Sequence, residues 1–183
     1  MILYVNCCPR DESRTDRLAR KLLDKLGDYE EVNLENEHLI PMTKARLEYR
    51  MQLINQNNYS DPMFDYAKQF SAADIIVIAA PFWDLSFPAA LKVYIENIYV
   101  TGIVSKYGAD GRPVGLCKAK KLYYVTTAGG PYDGRYSYDY MQDLAQNYFG
   151  IDETMLIQAE VLDIFGNDPE KILAECMEFY DLV

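Results

Sequence analysis

An almost unbroken apolar run, Asp74 to Ala80, limits the folds open to this chain more than any other segment. Its β-branched residues, Ile75 to Ile78, favour a strand that is covered on both faces, and such strands lie at the centre of parallel sheets. Pro81 ends the run, and an aromatic segment follows before Pro88 opens a helix. Open α/β sheets bind ligands at the carboxyl ends of their strands, so this segment predicts contact with a planar ligand. Taken alone, it is also typical of simple aromatic packing at the end of a strand.

Composition narrows the class of protein. The chain has 183 residues, of which 50% are hydrophobic and 25% charged, and this predicts a single domain over residues 1–183. A formal net charge of −10 argues against a surface for nucleic acid or anionic membranes, because both require clustered cations. No apolar run approaches bilayer length and no basic leader precedes the first strand, so we expect a cytoplasmic protein. Cys7, Cys8, Cys117 and Cys176 lack the spacing of metal ligands, and we expect free thiols.

Apolar periodicity alternates between strands and helices along the chain. The predicted strands are residues 2–6, 29–34, 74–80, 121–127 and 155–164, and the predicted helices are residues 13–26, 45–54, 64–70, 89–100, 138–149 and 169–180. This alternation predicts the α/β class and a doubly wound sheet. Residues 101–118 are rich in glycine, and we expect a long loop there that serves as a lid or a partner surface. His38 stands in no catalytic pattern and is assigned no role.

Two strand exits have the composition of ligand-binding loops. A polar turn follows the first strand, and Ser13 or Thr15 can cap the helix after it. Amides at a helix N-terminus, with hydroxyls beside them, bind phosphate without a large basic patch, although the pattern also fits an ordinary capped helix. Gly129 and Gly130 follow the fourth strand, where the missing side chains allow the backbone to approach a ligand edge or to form a tight turn.

Four segments carry a more specific pattern. They are CPRDESRT at residues 8–15, APFWDLSFP at residues 80–88, GIVSKYGADGRPVGL at residues 102–116 and TAGG at residues 127–130. In this order they resemble the motifs of FMN-dependent NAD(P)H oxidoreductases of flavodoxin-like fold, and especially those of the FMN-dependent NADH-azoreductases and NAD(P)H quinone dehydrogenases. The resemblance extends over nearly the whole chain.

The resemblance implies a flavodoxin-like three-layer sandwich with a five-stranded parallel sheet in the order 2-1-3-4-5. It also implies FMN as cofactor, NADH or NADPH as co-substrate, a planar quinone or azo compound as acceptor, and ping-pong two-electron transfer by a homodimer. The implied cofactor-binding residues are Cys8, Arg10, Ser13, Arg14, Thr15, Pro81, Phe82, Trp83, Asp84, Leu85, Thr127, Ala128, Gly129 and Gly130, and the implied substrate contacts are Tyr107 and Tyr132. The flavin carries the chemistry, so no side chain is assigned a catalytic role and no metal is expected.

Four positions depart from the family pattern. Cys8 stands for a usual serine and Ala128 for a usual arginine, so each weakens or removes a hydrogen-bonding group. Ser105 replaces a phenylalanine of the acceptor pocket. Asp84 replaces a usual asparagine, and we expect its carboxylate to oppose the negative charge of reduced flavin. The identity of the acceptor therefore stays open.

Two other function classes also stay open. The spacing Cys8-x5-Arg14 matches the phosphate loop of low-molecular-weight tyrosine phosphatases, in which Cys8 would attack phosphorus and Asp168 would act as general acid. Pro9 removes one loop amide, and neighbouring acidic residues would repel phosphate, which counts against this alternative. A flavodoxin-type electron carrier is the other alternative. A dinucleotide site is disfavoured, because no Gly-x-Gly-x-x-Gly motif follows the first strand.

Overall fold

The computed structural model describes residues 1–182 and has a parallel sheet at its centre. In chain order the strands are β1 (Ile2–Asn6), β2 (Tyr29–Asn33), β3 (Ile75–Ala79), β4 (Ser105–Tyr107), β5 (Pro113–Gly115), β6 (Lys121–Thr127) and β7 (Glu153–Ala159). The five-stranded sheet has the order β2-β1-β3-β6-β7 with parallel pairing throughout, which is the predicted order 2-1-3-4-5 when only its own strands are counted. The apolar run forms β3 in the middle of the sheet, as its two-sided burial requires.

Helices cover both faces of this sheet. They are α1 (Arg14–Leu26), α2 (Lys44–Asn55), α3 (Asp65–Ala72), α4 (Ala89–Ile98), α5 (Tyr138–Leu144) and α6 (Pro169–Phe179). Alternate residues of β1 enter different cores, because Leu3 and Val5 pack with α3, α4 and α5 while Ile2 and Tyr4 pack with α1 and α6. Within residues 1–182, none of these helices is both long enough and apolar enough to cross a membrane.

Side chains cap the starts of several helices, among them α1 and α6. Ser13 Oγ accepts a hydrogen bond from the amide of Asp16, so α1 begins directly after Ser13. Asp168 caps α6 in the same way, with Pro169 at the first helical position. Both starts were predicted. The Ser13 cap places the first turn of α1 just beyond the carboxyl end of β1.

Two sequence-based assignments are wrong. The predicted long loop at residues 101–118 contains an antiparallel hairpin of β4 and β5, in which Ser105 pairs with Gly115. These strands are three residues each, too short for an apolar alternation to show. The last strand of the sheet was predicted to reach residue 164, but β7 ends at Ala159. Val161 has a φ of 56°, so the chain has left the extended region there.

The predicted helix at residues 138–149 changes geometry along its length. α5 ends at Leu144, and Ala145–Phe149 continues as a π-helix. Gly150 follows in the left-handed region with a φ of 77°. A Cβ added at Gly115 of the hairpin would lie 2.1 Å from the backbone nitrogen of Gly150. The hairpin and the end of this helix are therefore in direct backbone contact, which a larger residue at position 115 would prevent.

Candidate functional site

A pocket of about 350 Å³ opens at the carboxyl edge of the sheet. Segments after β1, β3, β6 and β7 form it, and its lining residues are Pro9, Arg10, Glu12, Ser13, Arg14, Thr15, Pro81, Phe82, Trp83, Thr127, Ala128, Gly129, Leu162 and Asp163. Parallel strands bring their carboxyl ends to one edge, which is why four segments distant in sequence meet here. The pocket lies where the sequence predicted a ligand.

One part of the pocket is formed by the first turn of α1. Ser13 and Thr15 are 8% and 1% exposed, and the Thr15 hydroxyl shares a 2.6 Å hydrogen bond with the hydroxyl of Thr127 on β6. The first amides of a helix have no acceptor within that helix, and the helix dipole gives this end a positive potential. Hydroxyls and helix amides together make this part of the pocket suited to a phosphate group.

Two arginines and two carboxylates also line the pocket. Arg14 Nη1 lies 2.8 Å from Asp163 Oδ1. The guanidinium of Arg10 lies 5.8 Å from the centre of the Trp83 ring, which is a cation–π distance. Glu12 supplies the second carboxylate. Because these charges balance, attraction of an anion depends on the helix end more than on a net positive charge.

The aromatic segment after β3 forms a second wall. Phe82 packs edge-on against Tyr132, with ring centroids 4.9 Å apart and ring planes at 71°. Trp83 and Ser86 exchange backbone hydrogen bonds of 3.1 and 2.8 Å and so close a two-residue turn. The two residues of that turn, Asp84 and Leu85, have positive φ values of 51° and 65°. The segment thus presents Phe82 and Trp83 to the pocket as a wall suited to a planar ring.

The segments after β6 and β7 continue to pair beyond the sheet. Leu162 N donates to Ala128 O at 3.2 Å, and Asp163 N donates to Gly129 O at 2.9 Å. A Cβ added at Gly129 would lie 2.4 Å from Asp163 Oδ2, whereas one added at Gly130 would meet no described atom within 4 Å. The space that a side chain at Gly129 would need is therefore taken by a carboxylate of the protein itself.

Cys8 is buried and is not part of the lining. Its Sγ lies 3.8 Å from the carbonyl oxygen of Ala79, and its amide donates to Asn6 Oδ1 at 3.0 Å. Burial raises the pKa of the Cys8 thiol to about 12, so little nucleophilic thiolate forms at neutral pH. Asp168 is engaged as the cap of α6. Neither Cys8 nor Asp168 is part of the pocket lining, so a phosphatase reaction in this pocket would lack its nucleophile and its general acid.

Ten of the predicted cofactor-binding residues come together in the pocket lining, namely Arg10, Ser13, Arg14, Thr15, Pro81, Phe82, Trp83, Thr127, Ala128 and Gly129. The other four are not part of the lining: Cys8, Asp84 and Gly130 each adjoin a lining residue in sequence, and Leu85 follows Asp84. Of the predicted substrate contacts, Tyr132 packs against the lining residue Phe82. Tyr107 lies on the hairpin strand β4, is 58% exposed and is not part of the lining.

Sequence reasoning missed Pro9, Glu12, Leu162 and Asp163. The first two flank predicted residues in the turn after β1. Leu162 and Asp163 were hidden because the prediction carried the last strand to residue 164. The available signal was the topology, since the exit of a strand beside β6 must reach the same edge of the sheet.

The sequence matches a known protein family along nearly its whole length. The family model described as flavodoxin-like fold matches residues 1–181. The FMN-dependent NADH:quinone oxidoreductase of Coprothermobacter proteolyticus is 34% identical over 191 aligned positions, covering 97% of this chain and 94% of the relative. The protein of the same name from Clostridium beijerinckii is 35% identical with the same coverage of both chains.

Solved structures agree at the level of the fold. The azoreductase from Bacillus anthracis str. Sterne has a TM-score of 0.81 at 22% identity, with 97% of this chain and 95% of that chain covered. An FMN-dependent NADH-azoreductase from Bacillus anthracis str. Ames Ancestor, in complex with FMN, has a TM-score of 0.81 at 21% identity, with 97% and 94% covered. With a family match over nearly its full length and relatives above 30% identity, this chain belongs to the flavodoxin-like fold family.

Proposed function

We propose that this protein is an FMN-dependent NAD(P)H oxidoreductase that reduces quinone or azo acceptors by two-electron transfer. The observation that carries the proposal is the single pocket in which the first turn of α1 and an aromatic wall meet at the carboxyl edge of the sheet. Phosphate and a planar ring are the two ends of FMN, and each finds matching chemistry there. The full-length relatives named FMN-dependent NADH:quinone oxidoreductase support the same activity.

The phosphate of FMN would be held by Ser13, Arg14 and Thr15. Ser13 and Thr15 supply hydroxyls that are already buried at the helix end, and Arg14 supplies a cation in the lining. The hydrogen bond from Thr15 to Thr127 links this turn to the exit of β6. Arg10 and the buried Cys8 complete the turn that leads into the helix.

The isoalloxazine ring would be held between the exits of β3 and β6. Pro81, Phe82 and Trp83 supply apolar surface. Gly129 supplies its backbone amide for the polar edge of the ring, since the Ala128 amide donates to Ala159 O within the protein. Asp84, Leu85 and Gly130 continue these two segments beyond the lining and complete the proposed binding set. The fit rests on the chemistry of these residues, because an apolar wall and backbone donors are what a flat heterocycle needs.

When bound, FMN would supply the two-electron redox chemistry between NADH or NADPH and the acceptor. The chain supplies position and exclusion of water, and we assign no proton transfer to a side chain. Phe82 and Trp83 cover one part of the ring site, so nicotinamide and acceptor would use the same remaining opening in turn. Tyr132, packed on Phe82, and Tyr107 of the hairpin are the proposed contacts to a planar acceptor.

We further propose one three-layer FMN-binding domain over residues 1–183, acting in the cytoplasm as a homodimer. The support for a dimer is apolar surface next to the pocket, since Trp83, Leu85 and Tyr136 are 37%, 64% and 59% exposed. A second copy covering this surface would shield the ring site from water. Light scattering of the active protein measures this directly, and a fully active monomer at micromolar concentration would contradict it.

Two-substrate kinetics test the proposed reaction. Because both substrates would use one opening, double-reciprocal plots at several NADH concentrations should give parallel lines with a quinone or azo acceptor. Converging lines would show that both substrates bind together and would refute the shared opening. Absence of any NADH-dependent reduction, with one-electron exchange intact, would favour the electron-carrier alternative.

A further inference from the structure

Asp163 lies in the pocket without a role in the proposed function. Its Oδ1 accepts a hydrogen bond from Arg14 Nη1 at 2.8 Å, and both residues line the pocket. The side chain of Asp163 is 67% exposed and that of Arg14 is 35% exposed. The arginine proposed to meet a phosphate is therefore already paired with a carboxylate of the same chain.

The position of this carboxylate is fixed by the backbone around it. Asp163 N donates to Gly129 O, and Val161 N donates to Gly130 O at 3.0 Å, so the segment after β7 is tied to the exit of β6. Asp163 Oδ2 occupies space that is open only because residue 129 is glycine, since a Cβ at this position would lie 2.4 Å from that oxygen. The carboxylate is thus held at the edge of the pocket by a neighbouring segment of chain.

We propose that Asp163 is a specificity-determining residue for phosphorylated ligands. The inference rests on the proposed function, since it assigns Arg14 to the phosphate of FMN. A phosphate monoester that enters the pocket must displace the Asp163 carboxylate from its hydrogen bond with Arg14. The nearby carboxylate also repels the phosphate dianion. Asp163 therefore lowers the affinity for FMN while leaving the affinity for riboflavin, which has no phosphate, unchanged. It sets how strongly the pocket prefers the phosphorylated form of the flavin.

The size of the effect follows from the exposure of the pair. Ion pairs with exposed side chains contribute little, and solvent screens the repulsion between the carboxylate and phosphate. Removing the charge of Asp163 is therefore expected to tighten FMN binding by about three- to tenfold, and to change riboflavin binding by less than about twofold. Asn is the same size as Asp, so Asp163→Asn changes the charge and keeps the shape.

The test is a titration of wild type and Asp163→Asn with FMN and with riboflavin, followed by quenching of flavin fluorescence. Tighter binding of FMN alone is the expected result. Equal or weaker FMN binding by Asp163→Asn would show that Asp163 orients Arg14 for the ligand, and would overturn the proposal. An equal gain for riboflavin would overturn it as well, because the effect would then not involve phosphate.

Glu170→Gln is the matched control. Glu170 pairs with Arg17 at 2.6 and 2.9 Å and so also joins α1 to the region after β7, but neither residue lines the pocket. We expect Glu170→Gln to leave both flavin affinities unchanged. In an Arg14→Met background, the gain in FMN affinity from Asp163→Asn should shrink, because the arginine for which Asp163 and phosphate compete is absent. An undiminished gain would contradict the role of the Arg14–Asp163 pair.

The same titration separates this inference from the proposed function. If neither wild type nor Asp163→Asn binds FMN, the proposed function fails and the inference fails with it. If wild type binds FMN and Asp163→Asn gains nothing, the inference alone fails and the FMN site stands.

Discussion

Ser13 and Thr15 connect the start of α1 to the proposed phosphate site. Ser13 has two tasks, because its Oγ caps the helix and its side chain lines the pocket. Cys8 has neither task, since its sulfur faces the carbonyl oxygen of Ala79 within the protein. This difference between neighbouring residues leads to a ranking of variants.

Replacing both Ser13 and Thr15 by Ala should weaken FMN binding by about 10- to 100-fold, because two hydroxyl partners of a charged phosphate are lost. Cys8→Ser should change the affinity by less than about threefold, because Cys8 is not part of the lining. Fluorescence titration with FMN measures both. The opposite ranking would place the phosphate elsewhere in the turn.

Loss of the helix cap is a separate effect and needs its own control. Thr43 caps α2, where its Oγ1 accepts a hydrogen bond from Arg46 N at 3.3 Å. Thr43→Ala should lower the free energy of unfolding by about 1 kcal/mol, as expected for a lost cap. It should leave FMN affinity unchanged. If it does, the loss of a helix cap alone does not weaken FMN binding, and the weaker binding of the Ser13 and Thr15 variant can be assigned to the lost contacts with the ligand.

Asp84→Asn should raise the rate at which NADH reduces protein-bound FMN by about two- to fivefold, because it removes a negative charge near a ring that gains one. Asp84 is exposed at a φ of 51°, a conformation that asparagine also tolerates, so the turn should persist. Stopped-flow absorbance measures the rate, with Asp24→Asn on the exposed face of α1 as charge control. An unchanged or lower rate would remove this electrostatic explanation.

At the scale of elements, the turn between Trp83 and Ser86 is under backbone strain. Leu85 has a φ of 65° and a side chain that is 64% exposed, so neither backbone preference nor burial favours leucine there. Two-residue hairpin turns with positive φ usually contain glycine or asparagine. The turn was not predictable because its sequence, Asp84-Leu85, carries no glycine.

Leu85→Gly should therefore raise the free energy of unfolding by about 0.5–1 kcal/mol, since relief of the left-handed strain exceeds the greater chain entropy of glycine. Urea denaturation measures this value. Leu47→Gly provides the contrast, because Leu47 is 45% exposed but lies inside α2, where glycine should cost about 1 kcal/mol. If both variants lost stability equally, the account of the strained turn would be wrong.

Most elements were predictable because each has its own apolar period. β1, β6 and the cap of α1 at Ser13 follow directly from local sequence. The hairpin of β4 and β5 was missed because three-residue strands have no measurable period. The pair Arg14–Asp163 joins positions 149 residues apart, so it depends on the fold and not on any local pattern.

At the scale of the whole molecule, buried thiols make stability depend on pH. Burial raises the pKa of Cys8 and of Cys117 from 9.0 to about 12 in each case. Above pH 9 the unfolded chain loses these protons while the folded chain keeps them, so folding is favoured below pH 9 and loses stability as pH rises towards 12. The sequence predicted free thiols, but only the three-dimensional packing gives their burial.

Each of these thiols should reduce the free energy of unfolding by about 1.4 kcal/mol for every pH unit above 9. Urea denaturation of wild type and Cys117→Ala between about pH 8 and 10 isolates the Cys117 thiol, because the tyrosines and the other thiols titrate alike in both proteins. In Cys117→Ala, the free energy of unfolding should fall less steeply with pH than in wild type, because one fewer thiol loses its proton on unfolding. A stability that stays flat over this range would contradict the burial of the thiols.

FMN binding by the purified protein is the decisive measurement for the proposed cofactor site. The protein should bind one FMN per chain and quench its fluorescence, and binding should be lost or weakened when Ser13 and Thr15 are both replaced by Ala. The contradicting result is a protein that binds no FMN, above all one that instead hydrolyses an aryl phosphate and loses that activity in Cys8→Ser.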